Sequence, residues 1–310
     1  MEYDKTKIAI IGAGFVGSTA AYALFIDGIA SEISIIDVKK EKAQGEALDL
    51  VHGMLFSKYT KVNYGSDYKL CENADIIVIT AGANQKPGET RLDLTKKNAA
   101  IMKEIIPEIV KYNKNAILLM VTNPLDVMTY LALKLSRFTP NKVFGTGTIL
   151  DTARFTHNLS EYYKVNPQSI HAYILGEHGD SEFPVWSSAN IAGIPLKKFE
   201  KYDKKKLDEI FQKTKNAAYE IISRKGATYY AIGLAITKIV RTILTDQHEV
   251  LPLSTLLKDY YGVNDVCLSI PVVLSRQGII KKLKIPLDKT EIKALKKSAE
   301  IIKKNIKSVV

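Results

Sequence analysis

Lys7-Ile8-Ala9-Ile10-Ile11-Gly12-Ala13-Gly14-Phe15-Val16-Gly17, with Asp37 twenty residues further on, is the stretch that decides the fold. A short apolar run ends in a glycine-rich turn, and a helical pattern begins inside that turn. Glycines at this spacing permit a tight bend, close approach of backbone to a pyrophosphate and close packing of helix on strand. The helix N-terminus adds N–H donors and a positive dipole end for phosphate oxygens. Glycine-rich turns often serve geometry alone. Here the strand before, the helix after and a carboxylate closing the next strand together form a dinucleotide signature. Gly12, Gly14, Phe15, Val16, Gly17 and Asp37 are therefore candidate cofactor residues. A carboxylate at position 37 accepts from ribose hydroxyls and repels a 2′-phosphate, so NAD is expected rather than NADP.

Outward from this unit, apolar runs and amphipathic stretches alternate. Strands are expected at Lys7–Ile11, Glu32–Ile36, Asp75–Thr80, Ala116–Val121 and Lys142–Phe144, and helices at Phe15–Asp27, Lys42–His52, Leu92–Tyr112 and Asp126–Leu135. Alternation of this kind predicts a parallel sheet with helices on both faces. The wholly apolar Ile76-Ile77-Val78-Ile79 fits a strand buried on both sides. Beyond about residue 146 the pattern changes. A helix at Ile149–Tyr163, a strand at His171–Leu175, helices at Lys204–Arg224 and Thr228–Leu244, antiparallel strands at Glu249–Leu257, Cys267–Leu274 and Gly278–Leu283, and a lysine-rich terminal helix are expected. The fold class is thus α/β: a Rossmann-type doubly wound parallel sheet over 1–146, followed by a mixed α+β catalytic domain over 147–310.

The bulk properties exclude several functions. No apolar run spans a bilayer, so no membrane association is expected. Lys5, Lys7 and Ala21-Tyr22-Ala23 faintly resemble a secretion signal, but glycines interrupt the apolar stretch between them. The two cysteines, Cys71 and Cys267, lie far apart without metal-ligand spacing, which fits a reducing, cytoplasmic location and no metal site. The net charge of +11 could attract nucleic acid. It comes mainly from lysines, since only six of the 44 basic residues are arginine, and no aromatic–basic interleaving offers a stacking platform. A lysine-rich surface without a nucleic-acid partner is the expectation.

Two further elements carry chemistry. Asp151 and Arg154 stand three residues apart in Leu150-Asp151-Thr152-Ala153-Arg154, a spacing that puts both on one helix face. His178 lies in Gly176-Glu177-His178-Gly179-Asp180, on a turn that flanking glycines leave open. Alone, the first is an ordinary ion pair and the second an ordinary loop histidine.

Together with Gly12–Gly17, Ala81 to Arg91, Val121-Thr122-Asn123-Pro124 and Gly226-Ala227-Thr228-Tyr229-Tyr230, they make the chain resemble the L-lactate/L-malate dehydrogenase family almost from end to end. The resemblance implies roles that the residue types suit. His178 would exchange a proton with the substrate oxygen, Asp151 would fix and charge-balance its ring, and Arg154 would clamp a carboxylate with its planar fork. Arg91, carried by the loop Ala83–Gly88, would polarise the reacting carbonyl. Asn123, before an expected cis Pro124, would bond near the reacting centre and the nicotinamide, and Thr228 would line the substrate pocket. Val121 and Ile232 would pack on the nicotinamide, although core packing explains both equally well. Thr80, Ala81 and Gly82 complete the cofactor set.

Gln85 is the discriminating position. The family's malate enzymes carry arginine there for a second carboxylate, whereas neutral glutamine favours pyruvate/L-lactate; a buried unpaired carboxylate would be costly. The neighbouring Lys86 keeps the malate alternative open, and a non-catalytic NAD-binding homologue is the alternative from another class. Bacterial relatives are activated by fructose 1,6-bisphosphate through an arginine and a histidine. Here Thr156 replaces the arginine while His171 remains as a possible effector residue, so weak or absent activation is expected. The first strand starts almost at once, so no N-terminal arm of the vertebrate type is expected, and the assembly expected is a homotetramer.

Overall fold

The computed structural model describes residues 6–84 and 88–309. Its elements run β1 Lys7–Ile11, α1 Phe15–Asp27, β2 Glu32–Ile36, α2 Lys40–His52, β3 Lys61–Gly65, β4 Ile76–Ile79, α3 Arg91–Tyr112, β5 Ile117–Met120, α4 Leu125–Ser136, β6 Val143–Gly145 and α5 Ile149–Tyr163. There follow β7 Ile170–His171, β8 Ile174–Leu175, β9 Phe183–Pro184, β10 Asn190–Ile191, β11 Ile194–Pro195, α6 Lys204–Lys225, α7 Tyr230–Leu244, β12 Glu249–Leu256, β13 Cys267–Ser275, β14 Gly278–Lys282 and α8 Lys289–Ile306.

Among the described residues, nine strands form one sheet in the order β14-β13-β12-β6-β5-β4-β1-β2-β3. The six strands from β3 to β6 are parallel in the order 3-2-1-4-5-6, which is the doubly wound arrangement. Their direction of winding reverses between β1 and β4, so the crevice beyond the C-terminal ends of these two strands is where a ligand is received. The apolar composition has its cause here: β4 and β5 are buried at every residue. The antiparallel strands β12–β14 extend the same sheet, joined at Ser254 opposite Gly145.

The structure departs from the sequence expectation in four places. β3 went unseen, because an edge strand with Lys61 and Asn63 has a weak apolar signature. The single strand expected at His171–Leu175 is two short strands that pair with different partners, β7 with β10 and β8 with β9. Helix α7 begins at Tyr230, leaving Thr228 on the loop before it. Short strands at Phe183–Pro184, Asn190–Ile191 and Ile194–Pro195 form where none was expected.

The glycine-rich turn is held by packing that only glycine allows. Gly12 adopts φ +102°, and a Cβ there would lie 2.8 Å from the Ala81 amide nitrogen. A Cβ on Gly17 would overlap the Gly12 carbonyl oxygen. Gly17→Ala is therefore expected to lower stability by about 1–3 kcal/mol and to weaken NADH binding. Thermal melts and a fluorescence titration with NADH check this; unchanged values in both would contradict the packing account.

Candidate active site

Three elements converge on His178. The loop between β8 and β9 carries it, and Gly176 pairs with Ser269 of β13 to fix the base of that loop. From α4, the buried Asp126 accepts the His178 backbone N–H at 2.8 Å through one oxygen and the Ser254 hydroxyl at 2.6 Å through the other. From α8, the Ser298 hydroxyl donates to the Ser181 carbonyl at 2.7 Å. The loop is thus tied to helices and strands on three sides and carries its imidazole on a rigid base.

The imidazole Nδ1 lies 2.6 Å from Asp151 Oδ2 on α5. The other oxygen of the same carboxylate accepts from Arg154 Nη1 at 3.1 Å. Both side chains on one helix face, as the spacing predicts, bracket a single buried acid. Burial would raise the Asp151 carboxyl, but His178 and then Arg154 hold it below the usual range. Burial would lower His178, but Asp151 beside it, with Glu182 and Asp126 further out, pushes it up to about 9. Nδ1 is engaged, so Nε2 is the nitrogen left to face a substrate, and 28% of the side chain remains exposed.

Arg91 is the first residue of α3. Thr90 caps this helix in a reciprocal pair with Asp93. The Arg91 guanidinium bonds Asp180 Oδ2 at 2.7 Å and the Tyr219 hydroxyl at 2.7 Å. Asp180 lies two residues beyond His178, so this half-exposed ion pair tethers the guanidinium to the histidine loop. Gln85, the expected substrate discriminator, lies outside the described residues, as do Lys86 and Pro87 of the expected mobile loop. Thr228 is half-buried on the loop between α6 and α7, and Asn123 is exposed at the end of β5, before a cis bond to Pro124. His171 is exposed on β7 beside Asn190, and Thr156 bonds the Thr152 carbonyl of its own helix.

The cofactor crevice lies at the reversal point of the sheet. Asp37 Oδ2 accepts the Ala13 N–H at 2.7 Å and Oδ1 accepts the Lys39 N–H at 2.9 Å, so the carboxylate is held against the glycine-rich turn. Each oxygen keeps a second lone pair for a ribose hydroxyl. A Cβ on Gly14, at the N-terminus of α1, would meet nothing within 4 Å, which leaves the turn open to a pyrophosphate. The Thr80 hydroxyl reaches the Ile11 and Gly12 carbonyls at 3.0 Å, locking this turn to the end of β4. Ala81 and Gly82 continue from it, and a Cβ on Gly82 would strike Thr122. Val16, Val121 and Ile232 are partly buried and pack on the main core, while Phe15 projects outward and stacks on Tyr229 with ring centroids 5.2 Å apart. The cradle fits NAD.

Residues 6–145 match the family described as lactate/malate dehydrogenase, NAD binding domain, and residues 148–310 match lactate/malate dehydrogenase, alpha/beta C-terminal domain. The chain belongs to the lactate/malate dehydrogenase family. Membership makes it an NAD-dependent oxidoreductase. An L-lactate dehydrogenase of Acetivibrio thermocellus is 50% identical over 98% of this chain and 97% of its own length. One from Clostridium botulinum (strain Loch Maree / Type A3) is 51% identical over 98% and 96%. Among solved structures, the minor L-lactate dehydrogenase from Enterococcus mundtii superimposes with a TM-score of 0.95 at 40% identity, covering 99% of both chains. A lactate dehydrogenase enzyme from a Medee basin deep-sea metagenome library gives 0.94 at 42%, covering 98% of this chain and 99% of its own.

Sequence reading missed three supporting residues. Buried Asn98 on α3 accepts the Ala83 N–H at 2.7 Å and donates to the Asn123 carbonyl at 2.6 Å, joining two cofactor-side loops. Asp126 looks like an ordinary first-turn acid of α4, and Glu182 like a loop acid; only their burial separates them from such residues. Asp151, His178 and Glu182 bring ligand atoms within 4.8 Å of one another, although no sequence spacing links them.

Protonated imidazole is the form that can donate, and it persists below its own pKa. Reduction of a 2-oxo acid is thus expected to hold up to about pH 9 and to fall above it. By the same sign, the contribution of His178 to folding is complete below 6.5, its unfolded value, and is lost as pH rises through about 9. Asp151→Asn should move the alkaline limb of kcat/KM towards 6.5 and lower kcat about 100-fold or more. A pH–rate profile in which the limb stays in place would remove Asp151 from this role.

Proposed function

We infer that this chain interconverts pyruvate and L-lactate as an NAD-dependent L-lactate dehydrogenase. The observation that carries the reading is the division of one buried carboxylate, Asp151, between His178 and Arg154. A cationic imidazole and a guanidinium fork then stand side by side, matched to a carbonyl oxygen and its neighbouring carboxylate. Bound NADH supplies the hydride. Arg154 binds the substrate carboxylate, and His178 Nε2 gives its proton to the oxygen that was the carbonyl. Asp151 keeps the ring oriented throughout and stabilises its charged state. Arg91 leaves Asp180 and Tyr219 to reach the carbonyl as the loop before α3 closes. Asn123 and Thr228 border the substrate, and a neutral Gln85 accommodates a methyl group.

The two family-matched regions are taken as a cofactor domain over 1–146 and a catalytic domain over 147–310. Among the described residues no helix is long and apolar enough to cross a membrane, and a cytoplasmic location agrees with two buried free cysteines. The assembly proposed is a homotetramer. It is supported by exposed apolar side chains around the first two helices: Tyr22, Ile26, Leu48, Val51, and beyond them Leu55 and Phe56 at 88% and 87% exposure. Thr156 presents a hydroxyl where effector-activated relatives carry a cation, so activation by fructose 1,6-bisphosphate is weak or absent.

Steady-state kinetics test the substrate. Pyruvate is expected to exceed oxaloacetate widely in kcat/KM, with little change in KM for pyruvate on adding the bisphosphate, and Gln85→Arg should shift preference to oxaloacetate. Equal values for the two acids, or an unmoved preference in the variant, would overturn the lactate reading. Sedimentation at micromolar concentration should give four times 34.5 kDa, and Phe56→Asp should yield smaller species. A monomeric parent protein would refute the assembly.

A further inference from the structure

Glu182, four residues beyond His178, is nine-tenths buried, and its Oε1 has no hydrogen-bond partner. Its carboxyl lies within 4.8 Å of both the His178 ring nitrogen and the Asp151 carboxylate. A buried acid without a donor is poorly stabilised as an anion, and a second negative charge this close to Asp151 makes it worse. Asp151 has both oxygens occupied, by His178 and Arg154, whereas Glu182 has no such support. Of the two acids, Glu182 is therefore the one that keeps its proton.

We propose that Glu182 is a positioning residue acting through the His178–Asp151 pair, its carboxyl neutral while the imidazole exchanges protons with substrate and ionised only as the site becomes alkaline. The charged and titratable groups that act on it are Asp151 and Arg154 from α5, Lys215 from α6, and His178 from its own loop; Asp126 from α4 also acts on His178. Burial first, and then Asp151, pushes Glu182 up to about 8, against the opposing pull of His178, Lys215 and Arg154.

The proton count gives the consequence. In reduction, His178 passes its Nε2 proton to the substrate oxygen and becomes neutral; Glu182 keeps its own, and Asp151 is left as the single negative charge of the cluster. If Glu182 were already ionised, two anions would face the neutral ring, and the imidazolium would release its proton less readily. Above neutrality Glu182 ionises, and its charge then keeps the imidazole protonated to higher pH. The glutamate thus widens the pH range over which the donor stays loaded.

This inference rests on His178 being the acid–base group, and the experiment keeps the two separable. In the unmodified enzyme with NAD bound, 13C NMR of glutamate-labelled protein should show one side-chain carboxyl titrating well above the ordinary carboxylate range. That signal should vanish in Glu182→Gln. The same variant should move the alkaline limb for pyruvate reduction and the acid limb for lactate oxidation in the same direction, to lower pH, by about one unit. If every glutamate titrates normally, or both limbs stay in place, the proposal fails. His178→Asn that remained active would instead overturn the acid–base assignment, whatever Glu182 does.

Discussion

One carboxylate organises the centre. Asp151 sits in a low-dielectric environment where an isolated anion is costly, and it is kept ionised by two cations that approach different oxygens. The arrangement is reciprocal: the anion keeps the imidazole charged, and both cations make the anion tolerable. Because the two oxygens belong to one planar group, the imidazole at 2.6 Å from one and the guanidinium at 3.1 Å from the other are held beside each other. Imidazole, carboxylate and guanidinium are then parts of one figure, and a change at either cation disturbs the other through the shared acid.

The surrounding scaffold exists largely to keep that figure dry and fixed. α5 supplies both Asp151 and Arg154 from one face, and the fully buried Phe155 and Leu159, about one and two turns beyond Asp151, anchor it in a second, smaller core. Trp186, just past β9, packs edge-on against Phe155 at 5.1 Å, so the strand after the histidine loop leans on the helix that carries its partner. The loop itself is closed by glycines: a side chain at Gly176, at φ +93°, would meet Ser298 and Phe183. Packing and electrostatics here impose the same geometry.

Much of this was legible in the residues. Strand runs such as Ile76–Ile79 are apolar throughout because both faces are covered, and the turn from Gly12 to Gly17 gains its meaning from the strand before it, the helix after it and Asp37 closing the next strand. Asp151 and Arg154 could be placed on one face by counting. The rest was hidden for definite reasons. β3 lies at the sheet edge, where alternation is weak. His171–Leu175 has the composition of one strand and is split by changing partners, which is a tertiary choice. Asp126, Asn98 and Glu182 are polar residues whose importance lies in being buried, and burial of a polar group is decided by everything around it.

The bond from Asp126 to the His178 backbone has a bearing on how such a chain can change over generations. Helix α4 belongs to the dinucleotide half, yet its acid holds up the histidine of the other half, and Ser254 of the continuing sheet completes the same contact. The halves are therefore poor cassettes. Exchanging the segment that carries α4 would also exchange what holds the His178 backbone in place.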